Sequence, residues 1–249
     1  MKRFLIFMIL AALVGAFAWG EEVDFGKLLV TIDEQTDLSG LDFAAVAQLK
    51  QTDPENGNSD QSMAMFRRDA DDSFSGLQLT PESKKGTGYL KSGDRMYTYD
   101  PTSRKFSFTS MKDNFSGTDA KNSDFEKSKR SADYKVTAWS EGKLGRFEVW
   151  ILDLTAVNSS VTYPKQKIWV DKAAKTVLKS EDYSLSGRLL RTSLYPTYAS
   201  VGKKLVATKQ IFVDALVPGK RTEVSLSDVS VKPLANEVFT RAFLEKATN

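Results

Sequence analysis

The sequence predicts a mainly β protein built on one curved antiparallel sheet, and three observations predict it. Residues 136–141, 146–154, 167–170, 176–183, 189–195, 204–214 and 222–231 read as short strands at even spacing, each bounded by Gly, Pro, Asp, Asn or Ser turn signals. No helix-length segment separates them, which excludes the strand-helix-strand units of a parallel sheet. Residues 86–125 add β-prone mass in Tyr89, Met96, Tyr97, Tyr99, Phe106, Phe108 and Met111.

Taken in order, the chain opens on Lys2 and Arg3, an apolar run over residues 4–14, and small residues at Gly15, Ala16, Ala18 and Gly20. That is the pattern of a secretory signal peptide over residues 1–20, with cleavage after Ala18 or, preferred, after Gly20. A transmembrane anchor is the competing reading, but the apolar run is shorter than the roughly 20 residues a bilayer requires. No Cys follows it for lipid attachment, so the expected product is soluble outside the cytoplasm. Asp24 can then cap a short helix whose Phe25, Leu28, Leu29 and Ile32 fall at helical spacing. Asp37 to Gly40 ends it. Residues 41–51 alternate, with Phe43, Ala45, Ala47 and Leu49 on one face; an alanine-rich helix competes with a strand here.

A loop over 53–58 leads to strands at 61–68 and 73–79 joined by the acidic turn Asp69-Ala70-Asp71-Asp72. The stretch 86–125 reads as two strands with a turn at Ser92-Gly93-Asp94, and a polar loop after Asp100-Pro101 stops the ladder. Residues 126–132 are Lys- and Ser-rich, a solvated loop or a short amphipathic helix. After the strand series, Pro233-Leu234-Ala235-Asn236 precedes a short helix with Phe239, Ala242, Phe243 and Leu244 on its apolar face. No composition shift marks a boundary, so residues 21–249 are expected to form one domain.

Composition narrows function further. Losing Lys2 and Arg3 from 35 basic residues leaves 33 against 32 acidic ones, a near-neutral balance with no nucleic-acid footprint. The chain has no Cys, so an exported product must rely on a hydrophobic core without disulfides, which roughly 230 residues can supply. It also has no His, which removes the commonest general base and the commonest zinc ligand. No G-x-S-x-G elbow is present, and the S-x-x-K matches at Ser140 to Lys143 and Ser200 to Lys203 lack companion motifs. Asp69, Asp71 and Asp72 lack the glycine and closing glutamate of a calcium loop. The expectation is no enzyme, no metal and no cofactor, with a lipid hydrolase the least favoured alternative.

Several spaced motifs together resemble the outer membrane lipoprotein-sorting (LolA-like) proteins. They are Lys85-Gly86-Thr87-Gly88-Tyr89-Leu90, Met96-Tyr97-Thr98-Tyr99-Asp100-Pro101 with Arg104-Lys105, and Phe115-Ser116-Gly117-Thr118 with Ser123-Asp124-Phe125. Lys179-Ser180-Glu181-Asp182-Tyr183, Gly187-Arg188-Leu189 and Phe239-Thr240 with Leu244 extend the likeness over nearly all of the mature chain. The family's G-S-D-F run is loosened, since Asn122 stands before Ser123-Asp124-Phe125. The resemblance implies an incomplete antiparallel β-barrel with short helices covering its concave face. It also implies a periplasmic carrier that shuttles the acyl chains of lipoproteins or phospholipids toward the outer membrane. Partners would be an inner-membrane permease of the RND type and, transiently, a membrane surface. A non-carrying adaptor of such a permease would share the fold but fill the groove with its own side chains.

Candidate groove residues are Phe66, Leu77, Leu79, Tyr97, Tyr99, Phe106, Phe108, Phe147, Val149 and Ile151, with ordinary core packing the alternative for each. The strand face that points inward stays open, because a one-residue slip reverses it. Trp150, opposite in parity to Phe147, Val149 and Ile151, is a candidate for meeting the lid. Lys84, Lys85, Arg104, Lys105, Lys127, Lys129 and Arg130 are candidates for headgroup contact, or a solvated face.

Overall fold

The computed structural model describes residues 23–93 and 95–247; residues 1–20, with the expected signal peptide, lie outside them. Helix α1 (Phe25–Thr36) starts where the Asp24 side chain accepts a hydrogen bond from the Lys27 N–H at 3.0 Å, and it buries Phe25, Leu28, Leu29 and Ile32. Six strands follow: β1 (Asp42–Thr52), β2 (Ser59–Arg68), β3 (Ser73–Thr80), β4 (Gly88–Ser92), β5 (Arg95–Asp100) and β6 (Lys105–Thr109). After residues 110–133, which include the four-residue helix α2 (Arg130–Asp133), come seven more. These are β7 (Tyr134–Leu144), β8 (Phe147–Ala156), β9 (Lys165–Asp171), β10 (Val177–Tyr183), β11 (Leu189–Val201), β12 (Lys204–Asp214) and β13 (Arg221–Ser230). Helix α3 (Arg241–Lys246) closes the described chain.

All thirteen strands form one antiparallel sheet in the order β6-β5-β4-β3-β2-β1-β13-β12-β11-β10-β9-β8-β7. The sheet does not close, and its two free edges, β6 and β7, are consecutive in the chain. Two meanders are therefore joined twice, by the β1–β13 ladder at the centre and by residues 110–133, which leave one edge and return at the other. This is an incomplete barrel. From β4 to β6 there are three strands where the sequence suggested two, because residues 101–104 turn the chain back to pair as β6 instead of ending the ladder at Asp100-Pro101.

The alternation Phe43, Ala45, Ala47, Leu49 on β1 is realised as a buried strand face. That face packs with Met63, Met65, Phe74 and Tyr89 against Phe115, Ala120 and Phe125 of the 110–133 crossover. In the second half, α1 packs on Leu152, Leu154, Ile168, Val170 and Val177. The side covered by α1 and the crossover is the inner face. Trp150 meets α1 there, its ring 6.2 Å from that of Phe25.

Helix α3 departs from the lid expectation: it sits on the outer face, where Leu244 packs with Leu90 and Tyr99, and Phe243 meets Phe66 edge-on at 5.8 Å. The chain before it is tied down by Arg68, whose Nε and Nη2 reach the Asp42 carboxylate at 2.7 and 2.9 Å while Nη1 reaches Asn236 Oδ1 at 2.7 Å. The hydrogen bonds from Arg68 hold the Asp42 carboxyl below its ordinary range. Gly88 leaves room for the helix, since a Cβ there would stand 2.8 Å from Leu244 Cδ1 and 3.1 Å from Cδ2. Leu244 is fully buried, and its Cβ as well as its methyls lies within 3.2 Å of that position. Gly88→Val is expected to destabilise the protein by about 1–3 kcal/mol through overpacking; a thermal melt would show it, and Leu244→Ala in the same chain should recover part of the loss.

Candidate functional site

The crossover that seals the inner face also leaves a space beneath it. Its first half is anchored by rings: Phe115 stacks at 4.3 Å on Tyr89 and at 4.6 Å on Phe125. Nearby, the Asp119 N–H donates to Thr222 Oγ1 at 3.0 Å, and that hydroxyl donates to Asp119 Oδ2 at 2.9 Å. The second half is anchored by charge. Arg191 of β11 donates from Nη1 and Nη2 to Asp124 at 2.6 and 3.0 Å and from Nε to Asp182 at 2.9 Å, with the Tyr163 and Phe212 rings flanking its guanidinium. Burial pushes the Asp182 carboxyl up against the pull of Arg191. Lys91, only 5% exposed, reaches Glu126 at 2.6 Å and Asp72 at 3.2 Å. Asp69 pairs with Arg67 at 2.7 Å, so Asp69 and Asp72 of the acidic turn serve basic side chains of the inner face. Among the described residues no group of acidic side chains could hold a metal ion.

Between these anchors lies a cavity of about 720 Å³, within the roughly 300–1,000 Å³ typical of small-molecule sites. Its apolar wall is drawn from both meanders: Phe43 of β1, Met65 of β2, Val177 of β10, Tyr195 of β11, Val206 of β12 and Leu226 of β13. Ile32 of α1 and Met111 and Phe125 of the crossover roof it. Polar side chains share the lining, among them Gln166, Ser180 and Gln210. A second space of about 470 Å³ lies between α1 and β7, beside the half-exposed Trp139.

Of the ten groove candidates, Phe108 alone lines the larger cavity; it is 65% exposed on the edge strand β6. Strand pairing sets Phe108 across from Tyr97 and puts the others on the outer face. Phe66 lies across from Ala44, one residue out of step with the inner-face Phe43, and Leu77 across from Ala64. Tyr97 and Phe106 lie beneath Arg241 of α3, at 4.9 and 5.0 Å, and Tyr99 stacks on Phe106. Leu79 is exposed near the end of β3. Phe147, Val149 and Ile151 alternate with the inner-facing Trp150 and Leu152, and Val149 is buried outside the cluster under α1. Of the basic candidates, Lys127, Lys129 and Arg130 line the cavity, whereas Lys84 donates to Gln61 Oε1 and the Ser116 carbonyl away from it. Sequence reasoning did not single out Arg191, and it quoted Asp182 only inside the Lys179-Ser180-Glu181-Asp182-Tyr183 motif, with no role attached. The available signals for Arg191 were its two carboxylate partners, Asp124 inside the loosened G-S-D-F motif and Asp182.

Comparison with known proteins follows from this geometry. No curated protein matches the chain by sequence. Among solved structures, a LolA superfamily protein of Nitrosomonas europaea superposes with a TM-score of 0.74 at 22% identity, over 87% of this chain and 97% of the other. A domain described as a candidate outer membrane lipoprotein-sorting protein from Vibrio parahaemolyticus gives 0.75 at 21% identity, over 87% and 97%. A DUF1329 family protein from Desulfovibrio piger gives 0.77 at 18% identity, over 88% and 97%. These likenesses establish the fold. A family model described as "Uncharacterized protein" matches residues 70–246, well over half of the sequence. The chain belongs to that family, and its fold is that of the LolA superfamily.

Proposed function

We propose that this protein is a non-enzymatic periplasmic carrier that holds acyl chains of lipoproteins or lipids and shuttles them toward the outer membrane. The observation that carries this reading is the cavity of about 720 Å³ under a tethered cover, walled by apolar side chains from both meanders. An acyl chain of roughly sixteen carbons resists leaving a membrane by on the order of 10 kcal/mol, at about 0.8 kcal/mol per methylene. A carrier has to offer equivalent burial, and Phe43, Met65, Val177, Val206 and Leu226 supply it in this reading. Phe108 stands at the mouth as the first apolar contact for an entering chain. An adaptor of an RND-type permease predicts a groove filled by the protein's own side chains; the open volume favours the carrier. A permease and a membrane surface remain its natural loading and unloading partners.

The fluorescence of N-phenyl-1-naphthylamine, a neutral apolar probe, tests this reading. Delipidated protein is expected to raise it saturably, and palmitate to displace the probe. Tyr97→Ser, on the outer face, is expected to leave both steps unchanged. A protein that takes up neither probe nor palmitate would overturn the proposal.

A further inference from the structure

Most of the strong cations along the cavity wall already have a carboxylate: Arg67 has Asp69, Lys91 and Lys129 share Asp72, and Arg191 holds Asp124 and Asp182. Arg130, at the start of α2, does not. Its Nη1 donates to Ser128 Oγ at 3.0 Å, its Nε is buried with no hydrogen-bond partner, and among the described residues it forms no ion pair. Asp33 of α1 is close enough to influence it but is committed elsewhere. Its carboxylate accepts from Ser128 Oγ at 2.6 Å, from the Arg130 N–H at 3.2 Å and from the Ser131 N–H at 2.7 Å. The remaining neighbours are phenols. Tyr134 and Tyr198 donate their hydroxyl protons to the carbonyls of Tyr163 and Val177, at 2.8 and 2.7 Å. Burial works against the charged guanidinium, yet Tyr195, Asp33, Tyr198 and Tyr134 together hold its pKa above the ordinary value; no carboxylate touches it among the described residues, so an arriving anion would be its first direct charge partner.

We infer that Arg130 anchors the anionic head of the bound amphiphile, a carboxylate or phosphate, while the acyl chain lies along the apolar wall. This rests on the carrier reading and names its substrate class. One further feature agrees. The guanidinium fork suits planar or tetrahedral oxyanions, and Arg130 lines the cavity. The lining carries eight Lys and Arg residues against three Asp and Glu; Asp33, Asp69, Asp72 and Asp182 behind it bring the carboxylates to seven, so the wall is close to balanced and the local preference for an anion rests on Arg130. Uncharged acyl-glyceryl groups would leave Arg130 as it is.

The test is calorimetric titration of the delipidated mature protein with three ligands sharing one sixteen-carbon chain: palmitate, palmitoyl-lysophosphatidylglycerol and the neutral monopalmitoylglycerol. Wild-type protein is expected to bind at least one of the two anions about tenfold or more tighter than the neutral ligand, as a charge-assisted contact requires. Which anion shows the preference distinguishes a carboxylate from a phosphate head. Arg130→Gln should remove that preference while leaving monopalmitoylglycerol binding intact, and Arg130→Lys should keep part of it. Equal affinities for all three ligands in the wild type would overturn the inference and leave the carrier standing. Equal weakening of all three by Arg130→Gln would do the same. Absence of binding by every ligand would overturn both.

Discussion

Replacing Arg191 with leucine is expected to cost about 3–5 kcal/mol of folding stability, read as a lowered urea midpoint, because it strands two shielded carboxylates. Asp182 is fully buried and Asp124 nearly so, and Arg191 donates to both while lying between two aromatic rings. Gln166 Nε2, at 2.8 Å from Asp182 Oδ1, is a neutral donor and cannot replace the lost charge. The pH dependence has a definite sign. Burial raises the folded-state pKa of Asp182, and without Arg191 nothing of opposite charge opposes that rise. A carboxyl whose folded pKa lies above its unfolded value favours the fold while protonated and loses that contribution as pH rises through the folded pKa. The deficit of Arg191→Leu relative to wild type should therefore be smallest in acid and grow toward neutrality. A deficit that shrinks as pH rises would show that the triad is not what holds the crossover to β11.

Leu226→Asp is expected to weaken acyl-chain binding by about a hundredfold, since it sets a carboxylate against methylenes that have no means of solvating it. Leu226 pairs with Ala47 across the β1–β13 ladder, which places it on the inner face; it lines the cavity and is only partly buried before any ligand enters. The folding cost should accordingly be smaller than the binding cost. Displacement of the naphthylamine probe by palmitate measures the second and urea denaturation the first. Binding unchanged in a folded Leu226→Asp protein would remove the inner wall from the ligand path.

Local patterns were legible where one face of an element meets the core. Asp24 with the spacing of Phe25, Leu28, Leu29 and Ile32 defined α1, and the alternation of Phe43, Ala45, Ala47 and Leu49 defined the buried face of β1. Turn chemistry placed most strand starts, as at Gly187, whose φ of +84° fits the turn between β10 and β11, although β11 runs on to Val201, past its expected end at 195. Orientation was not legible in β3 to β6. There the aromatics divide: Tyr97, Tyr99 and Phe106 lie on the outer face under α3, while the face beneath the crossover carries Phe74 and Tyr89 together with Lys91, Met96 and Thr98. Aromatic density in this stretch did not locate the cavity, whose rings, Phe43, Phe125, Tyr134, Tyr163, Tyr195 and Tyr198, come from outside β3 to β6, with Phe108 the exception. The crossover was misleading for a related reason. Its Lys, Ser and Asp content resembles a solvated loop, yet Lys91 pairs with Glu126 and Arg191 with Asp124, so its charges are spent on strand partners far away in sequence.

Native mass spectrometry of the protein purified without detergent from the cells that make it tests the carrier reading most directly. The expected spectrum shows the mature chain plus one bound acyl species, released by solvent extraction and absent from the Leu226→Asp variant. A clean unliganded mass, together with no uptake of added palmitate, would contradict the carrier and leave a permease adaptor as the better reading of the same fold.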